Sequence, residues 1–197
     1  MSLMSSDSAG TPCERAWPKD MLRITFGLVW AIDALLKWLP GFRSTFMGTV
    51  MGESSGQPRW LHPWFSFWID LQHHRADFFV YLTATSETLI ALALIFGFAR
   101  KYTYIAAGLF SLIVWATAEG FGGPYTVGAS DIGTAVIYAV VFANLLAMNY
   151  YAGPARFSLD YYLEKRYSWW WHVAEVRRPA SDSELATSSA TLVSQSA

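Results

Sequence analysis

The sequence predicts an all-α integral membrane protein: a four-helix bundle with an interfacial amphipathic helix in its first outer loop. Three observations carry that expectation. Charged residues make up 15% of the 197, against about 25% in ordinary soluble domains. Hydrophobic residues reach 53%, with 10 Trp, 10 Tyr and 13 Phe, more aromatic surface than a soluble domain of this size hides behind so few charges. Four apolar stretches, 24–39, 78–98, 103–118 and 132–148, contain only three charged residues, Asp33, Lys37 and Glu87.

The chain opens on a polar arm, residues 1–20, with Ser, Pro and Gly and the charges Asp7, Glu14, Arg15, Lys19 and Asp20. It lacks the basic start, apolar centre and small-residue cleavage site of a secretory signal. We expect a cytoplasmic arm leading into the membrane domain, residues 21–150. Each of the four stretches approaches the 17–25 residues that cross a bilayer, once flanking interfacial residues are added. Helices are the only open-chain way to satisfy the backbone there. A soluble bundle would need one polar face per helix, and 89–98 and 105–116 have none.

Orientation follows from Lys and Arg. Four spans put both termini on the same side as the turn after the second span. That side holds Arg15, Lys19, Arg23, Arg100, Lys101, Arg156, Lys165, Arg166, Arg177 and Arg178, and the other only Lys37, Arg43, Arg59 and Arg75. Ten against four predicts a multi-pass cell-membrane protein with both termini cytoplasmic.

In the outer loop, 40–77, Trp64, Trp68 and Leu71 fall at i, i+4 and i+7, while Ser66, Asp70, His73 and His74 take the opposite side. That pattern predicts an amphipathic helix at the outer interface. The cytoplasmic segment 151–178 is aromatic and basic, ending its ring-rich run in Trp169, Trp170 and Trp171. Interfacial anchoring and a docking patch for a partner both fit it. The tail 179–197 is rich in Ser, Ala and Thr and is expected to be disordered.

The functional classes narrow by absence. A net charge of −1 gives no electrostatic reason to expect nucleic acid. The single Cys13 closes no intramolecular disulfide and builds no thiolate site. No span contains His, and haem-attachment, zinc-protease and Gly-rich nucleotide motifs are missing, so neither haem, flavin nor metal is evident. Asp70 with His73 and His74 forms an alternative metal set against the plainer reading of an exposed interfacial cluster.

Acids at membrane depth are what remains. Glu87 lies near the centre of 78–98, and Asp33 and Lys37 share a face of the first span at i, i+4. At about 1.5 Å per residue, Asp33 falls roughly 9 Å and Glu87 roughly 13 Å below the outer surface. Glu119 ends the third span and Asp131 opens the fourth. One bundle could gather all five in a polar pocket that opens outward. Asp33 and Lys37 are equally readable as a self-neutralising pair, Asp131 as a helix cap and Glu119 as helix-end solvation. A mid-membrane carboxylate is costly unless protonated or partnered, which makes Glu87 the functional candidate.

Three segments resemble the DoxX-like family of four-helix membrane proteins, in its DoxD branch. They are 86–100, with Glu87, an apolar run, Gly97 and Arg100; 23–37, with Gly27 and with Lys37 shortly before Leu39 and Pro40; and 131–138, from Asp131 to Tyr138. The resemblance covers 21–150, with a longer Trp-rich outer loop and no fused soluble domain. It implies a membrane subunit of a thiosulfate:quinone oxidoreductase, with quinone as electron acceptor and a possible soluble or second redox subunit as partner. In that reading Glu87 handles protons, Asp33, Lys37, Glu119 and Asp131 line the pocket, and Lys37 with Arg43 attracts an anion such as thiosulfate. The alternatives are a non-enzymatic organiser or assembly factor for a redox partner, and a small transporter or proton pathway.

Overall fold

The computed structural model describes residues 12–123, 132–151 and 157–177. The described residues are predominantly helical and contain no strand. Eight α-helices follow in order among them: α1 Pro12–Lys37, α2 Pro40–Glu53, α3 His62–His73, α4 Ala76–Phe96, α5 Arg100–Thr117, α6 Thr134–Tyr151, α7 Leu159–Arg166 and α8 Trp171–Ala174. α1 packs along α4 and α5 along α6, while α2 and α3 contact α4, α2 near its N-terminal end at Val80.

The four long helices meet in a core of Phe26, Trp30, Ala91, Leu94, Tyr104, Ala107, Phe142 and Leu145. Small residues set its tightness. A Cβ on Gly27 would come within 2.9 Å of Leu94 Cβ, so α1 can approach α4 this closely only with glycine there. Gly97 ends α4 in the left-handed conformation (φ 66°), and its N–H bonds back to the Ala93 carbonyl, the usual glycine stop of a helix.

The outward faces are apolar. Leu28, Ile32 and Leu35 on α1, Leu89 and Phe96 on α4, Leu109 and Ile113 on α5, and Ile137 and Val140 on α6 are all exposed, Leu35 to 67%. By length and apolarity two helices, Ala76–Phe96 and Thr134–Tyr151, suffice to cross a bilayer. α1 carries five charged residues in its first half, and α5 begins with Arg100 and Lys101.

Three features depart from the sequence-based expectations. α1 starts at Pro12, inside the segment expected as an arm, and Lys19 and Asp20 are buried. α2 occupies a stretch expected as loop. Pro40 starts it, a position where the missing N–H costs nothing, and Phe46 and Val50 bury one face at i, i+4. Gly41, Gly48 and Gly52 dilute its apolar pattern, which is why the sequence hides it. The expected helix around Trp64 exists as α3 and turns Trp64 and Leu71 outward. It also has a protein-facing side, Phe65 and Gln72, that the two-sided pattern did not include.

Candidate functional site

A cavity of about 570 Å³ lies between the helices. α1 supplies Trp30, Asp33 and Lys37 to its wall, α4 supplies Ser86 and Glu87, and α6 supplies Tyr138. Trp68 and Gln72 come from α3, and Phe42, Phe46, Phe79 and Phe110 add apolar rings. Glu119, just beyond α5, completes the charged set. Four of the five pocket residues expected from the sequence therefore share one cavity. The fifth, Asp131, lies outside the described residues.

Lys37 is the hub. Its ammonium donates to Asp33 Oδ1 at 3.0 Å and stands 3.7 Å from Glu87 Oε2. Helix spacing sets the first contact, because residues four apart lie one above the other. The second crosses from α1 to α4 and is made possible by their close packing. Glu87 is 4% exposed. Next to Glu87 in α4, Thr88 Oγ1 accepts from Trp38 Nε1 at 3.1 Å, tying the C-terminal end of α1 to α4.

Glu119 has a structural task as well. Its Oε2 accepts from the Ala135 N–H at 2.9 Å, capping the first turn of α6 and complementing the helix dipole. Counting Asp33, Glu87 and Glu119 against Lys37, three carboxylates and one ammonium, the lining carries a formal −2 when all are ionised. Arg43 does not offset it. Its Nε and Nη2 each donate to the Asp77 carboxylate at 2.9 Å, a bidentate pair of the strong kind. Both cations thus pair with acids of the chain.

The alternative metal set does not assemble. Among the described residues no three His, Cys, Asp or Glu side chains come together to hold an ion. A ring nitrogen of His74 lies 2.9 Å from the Asp70 carbonyl oxygen, and the His73 and His74 rings sit edge to face, 6.0 Å apart.

A second cluster, at the opposite end of the bundle, was not foreseen. Arg100, 1% exposed, binds three acids of the C-terminal segment: Asp160 through Nε at 3.0 Å, Glu164 through Nη2 at 3.4 Å, and Glu175. Asp160 also accepts from the Ala99 and Arg100 N–H groups at 2.8 and 2.9 Å, and from Trp170 Nε1 at 2.9 Å. Arg23 donates to the Leu94 and Ile95 carbonyls that end α4 and to the Phe157 carbonyl. Asn149 links Lys19 to the Ala174 carbonyl, and Lys101 donates to the His172 carbonyl. Burial pushes Glu164 up to about 7, with neighbouring Glu175 adding to the effect. Burial likewise raises Glu175 and lowers Lys19 to about 8. In the sequence these Lys and Arg look like ordinary topology markers. The usable hint was the acids themselves, Asp160, Glu164 and Glu175, placed where a charge-poor chain had bases to match.

Comparison with protein-family models, curated proteins and solved structures finds no match to this chain.

Proposed function

We propose that this chain is a four-helix membrane protein with cytoplasmic termini, in which the Glu87 cavity binds a quinone headgroup and exchanges protons with it. It then serves as the membrane subunit of a quinone-linked oxidoreductase acting on a small sulfur compound such as thiosulfate. The observation that carries the reading is Glu87 itself, a buried carboxyl 3.7 Å from a lysine on the wall of a 570 Å³ cavity. The exposed leucines and isoleucines around the bundle support the membrane assignment, because water leaves such a belt unpaid.

Quinone takes up two electrons and two protons to become quinol. The electrons come from the sulfur donor: two thiosulfate ions joining through a new sulfur–sulfur bond release two. One ammonium serves two carboxylates in the Asp33–Lys37–Glu87 group, so adding one proton makes the group neutral. Such a group can pass a proton to a quinone oxygen and be refilled. The formal −2 of the lining repels a dianion, so the donor's oxidation belongs to another surface or to a partner subunit.

The organiser reading needs a free docking patch at the inner end. Of the three tryptophans that would form it, Trp170 donates to the chain's own Asp160, while Trp169 is exposed. The test is direct binding. Purified protein in lipid nanodiscs, titrated with tetramethylbenzoquinone in a calorimeter, should give a saturable heat that empty nanodiscs do not. Heats equal to the empty-disc blank overturn the proposal.

A further inference from the structure

Buried polar groups are almost always hydrogen-bonded in folded proteins, so those without a partner ask for one. Among the described residues, Trp30 Nε1, Trp68 Nε1, Gln72 Oε1 and Glu87 Oε2 are buried and make no hydrogen bond. They come from α1, α3 and α4, yet all four residues line the one cavity. The others of this kind, Arg23 Nε, Arg100 Nη1, Tyr104 OH and Glu175 Oε2, belong to or adjoin the inner ionic cluster.

The chemistry of the four is specific. An indole N–H only donates, so Trp30 and Trp68 call for acceptor oxygens on a ligand. Gln72 Oε1 only accepts and calls for a hydroxyl. Glu87 Oε2 serves either way, according to its proton. Lining charge excludes an anion, since three acids face one ammonium. The rings of Phe42, Phe46, Phe79 and Phe110 favour a flat apolar body.

We infer that Trp30, Trp68 and Gln72 are the recognition residues of this cavity, selecting an uncharged ring whose oxygens alternate between carbonyl and hydroxyl, and rejecting the same ring with an anionic group. The inference rests on the quinone reading and assigns its binding contacts. Trp30 suits the task because its ring is held between Phe26, Phe142 and Tyr138, at centroid distances of 6.3, 5.5 and 5.6 Å. Trp68 is held against Trp64 at 5.8 Å and Phe67 at 5.5 Å. Indole donors favour the carbonyl form of the ligand and the Gln72 acceptor favours the hydroxyl form, so the two kinds of residue bias the redox pair in opposite directions.

The experiment uses the full chain in nanodiscs and three ligands: tetramethylbenzoquinone, its quinol, and a benzoquinone bearing one sulfonate. Wild type should bind the first two at least tenfold more tightly than the sulfonate. Trp30→Phe and Trp68→Phe keep the ring and remove the N–H, and each should weaken quinone binding about tenfold and quinol binding less. Gln72→Leu should weaken the quinol about tenfold and the quinone less. Should Trp30→Phe fail to fold, Trp68→Phe and Gln72→Leu carry the same contrast. Failure of wild type to bind either neutral ligand overturns the quinone reading together with this one. Normal wild-type binding with unchanged affinities and ratios in the variants overturns this inference alone. Equal binding of the sulfonate overturns the selection by charge.

Discussion

The Lys37 ammonium of α1 lies 3.7 Å from the Glu87 carboxylate of α4 while holding Asp33 at 3.0 Å on its own helix. The contact changes what the Asp33–Lys37 pair means. A self-neutralising intrahelical pair could be deleted whole at little cost. Here the lysine also answers a second, more deeply buried acid.

Removing Lys37 should therefore be the costly step. Lys37→Met leaves two carboxylates without a cation, and we expect a loss of about 2–3 kcal/mol, below that of a fully enclosed pair because the Lys37 side chain is 21% exposed. Asp33→Asn keeps the Lys37–Glu87 contact and should cost less than half as much. The double variant still strands Glu87 and should stay close to Lys37→Met. Unfolding in mild detergent measures all three, and a double variant as stable as wild type would show that Lys37 serves Asp33 alone.

The Arg100 cluster predicts a pH dependence with a definite sign. Glu164 is raised from 4.5 to about 7, by burial first and by Glu175 second. Below pH 4.5 it is protonated in both folded and unfolded chain and contributes no difference. Between 4.5 and about 7 the unfolded chain releases the proton that the folded chain keeps, so stability falls as pH rises. Glu175, also raised by burial, acts in the same direction. Lys19, lowered from 10.5 to about 8, acts oppositely, adding stability as pH rises between those values. The melting temperature should fall from pH 5 to 7.5, and Glu164→Gln should flatten part of that slope. Parallel wild-type and variant curves would contradict the assignment.

Topology is testable at two exposed serines. With Cys13 replaced by serine, a cysteine at Ser55, beyond α2, should react with an impermeant thiol reagent on intact cells. A cysteine at Ser168, between α7 and α8, should react only after the membrane is opened. The reverse pattern inverts the orientation.

The sequence disclosed the helices and the cavity acids to different degrees than it disclosed the polar packing. Asp33, Lys37 and Glu87 stood out because they are the only charges in long apolar runs, where ionic groups are expensive. Counting residues from the helix ends was enough to bring them to the same half of the expected membrane domain. Trp30, Trp68 and Gln72 carried no such mark, since Trp is common in this chain and Gln72 sits among polar neighbours in α3. Arg100 and Asp160 are 60 positions apart, and no local period links them. Their pairing depends on how the C-terminal segment folds back, which is tertiary information. α2 stayed hidden because its three glycines, Gly41, Gly48 and Gly52, lower its helix propensity, and packing of Phe46 and Val50 against Val80 compensates.

The most direct measurement is thiosulfate-dependent quinone reduction in membranes carrying wild-type protein or Glu87→Gln. Glutamine keeps the shape and much of the hydrogen bonding of Glu87 but exchanges no proton. Glu87→Gln should accumulate and bind tetramethylbenzoquinone as wild type does, while its reduction rate falls at least a hundredfold, the range of a lost general acid–base group. Equal rates in the two membranes would contradict the assignment of Glu87 as the proton-exchanging residue.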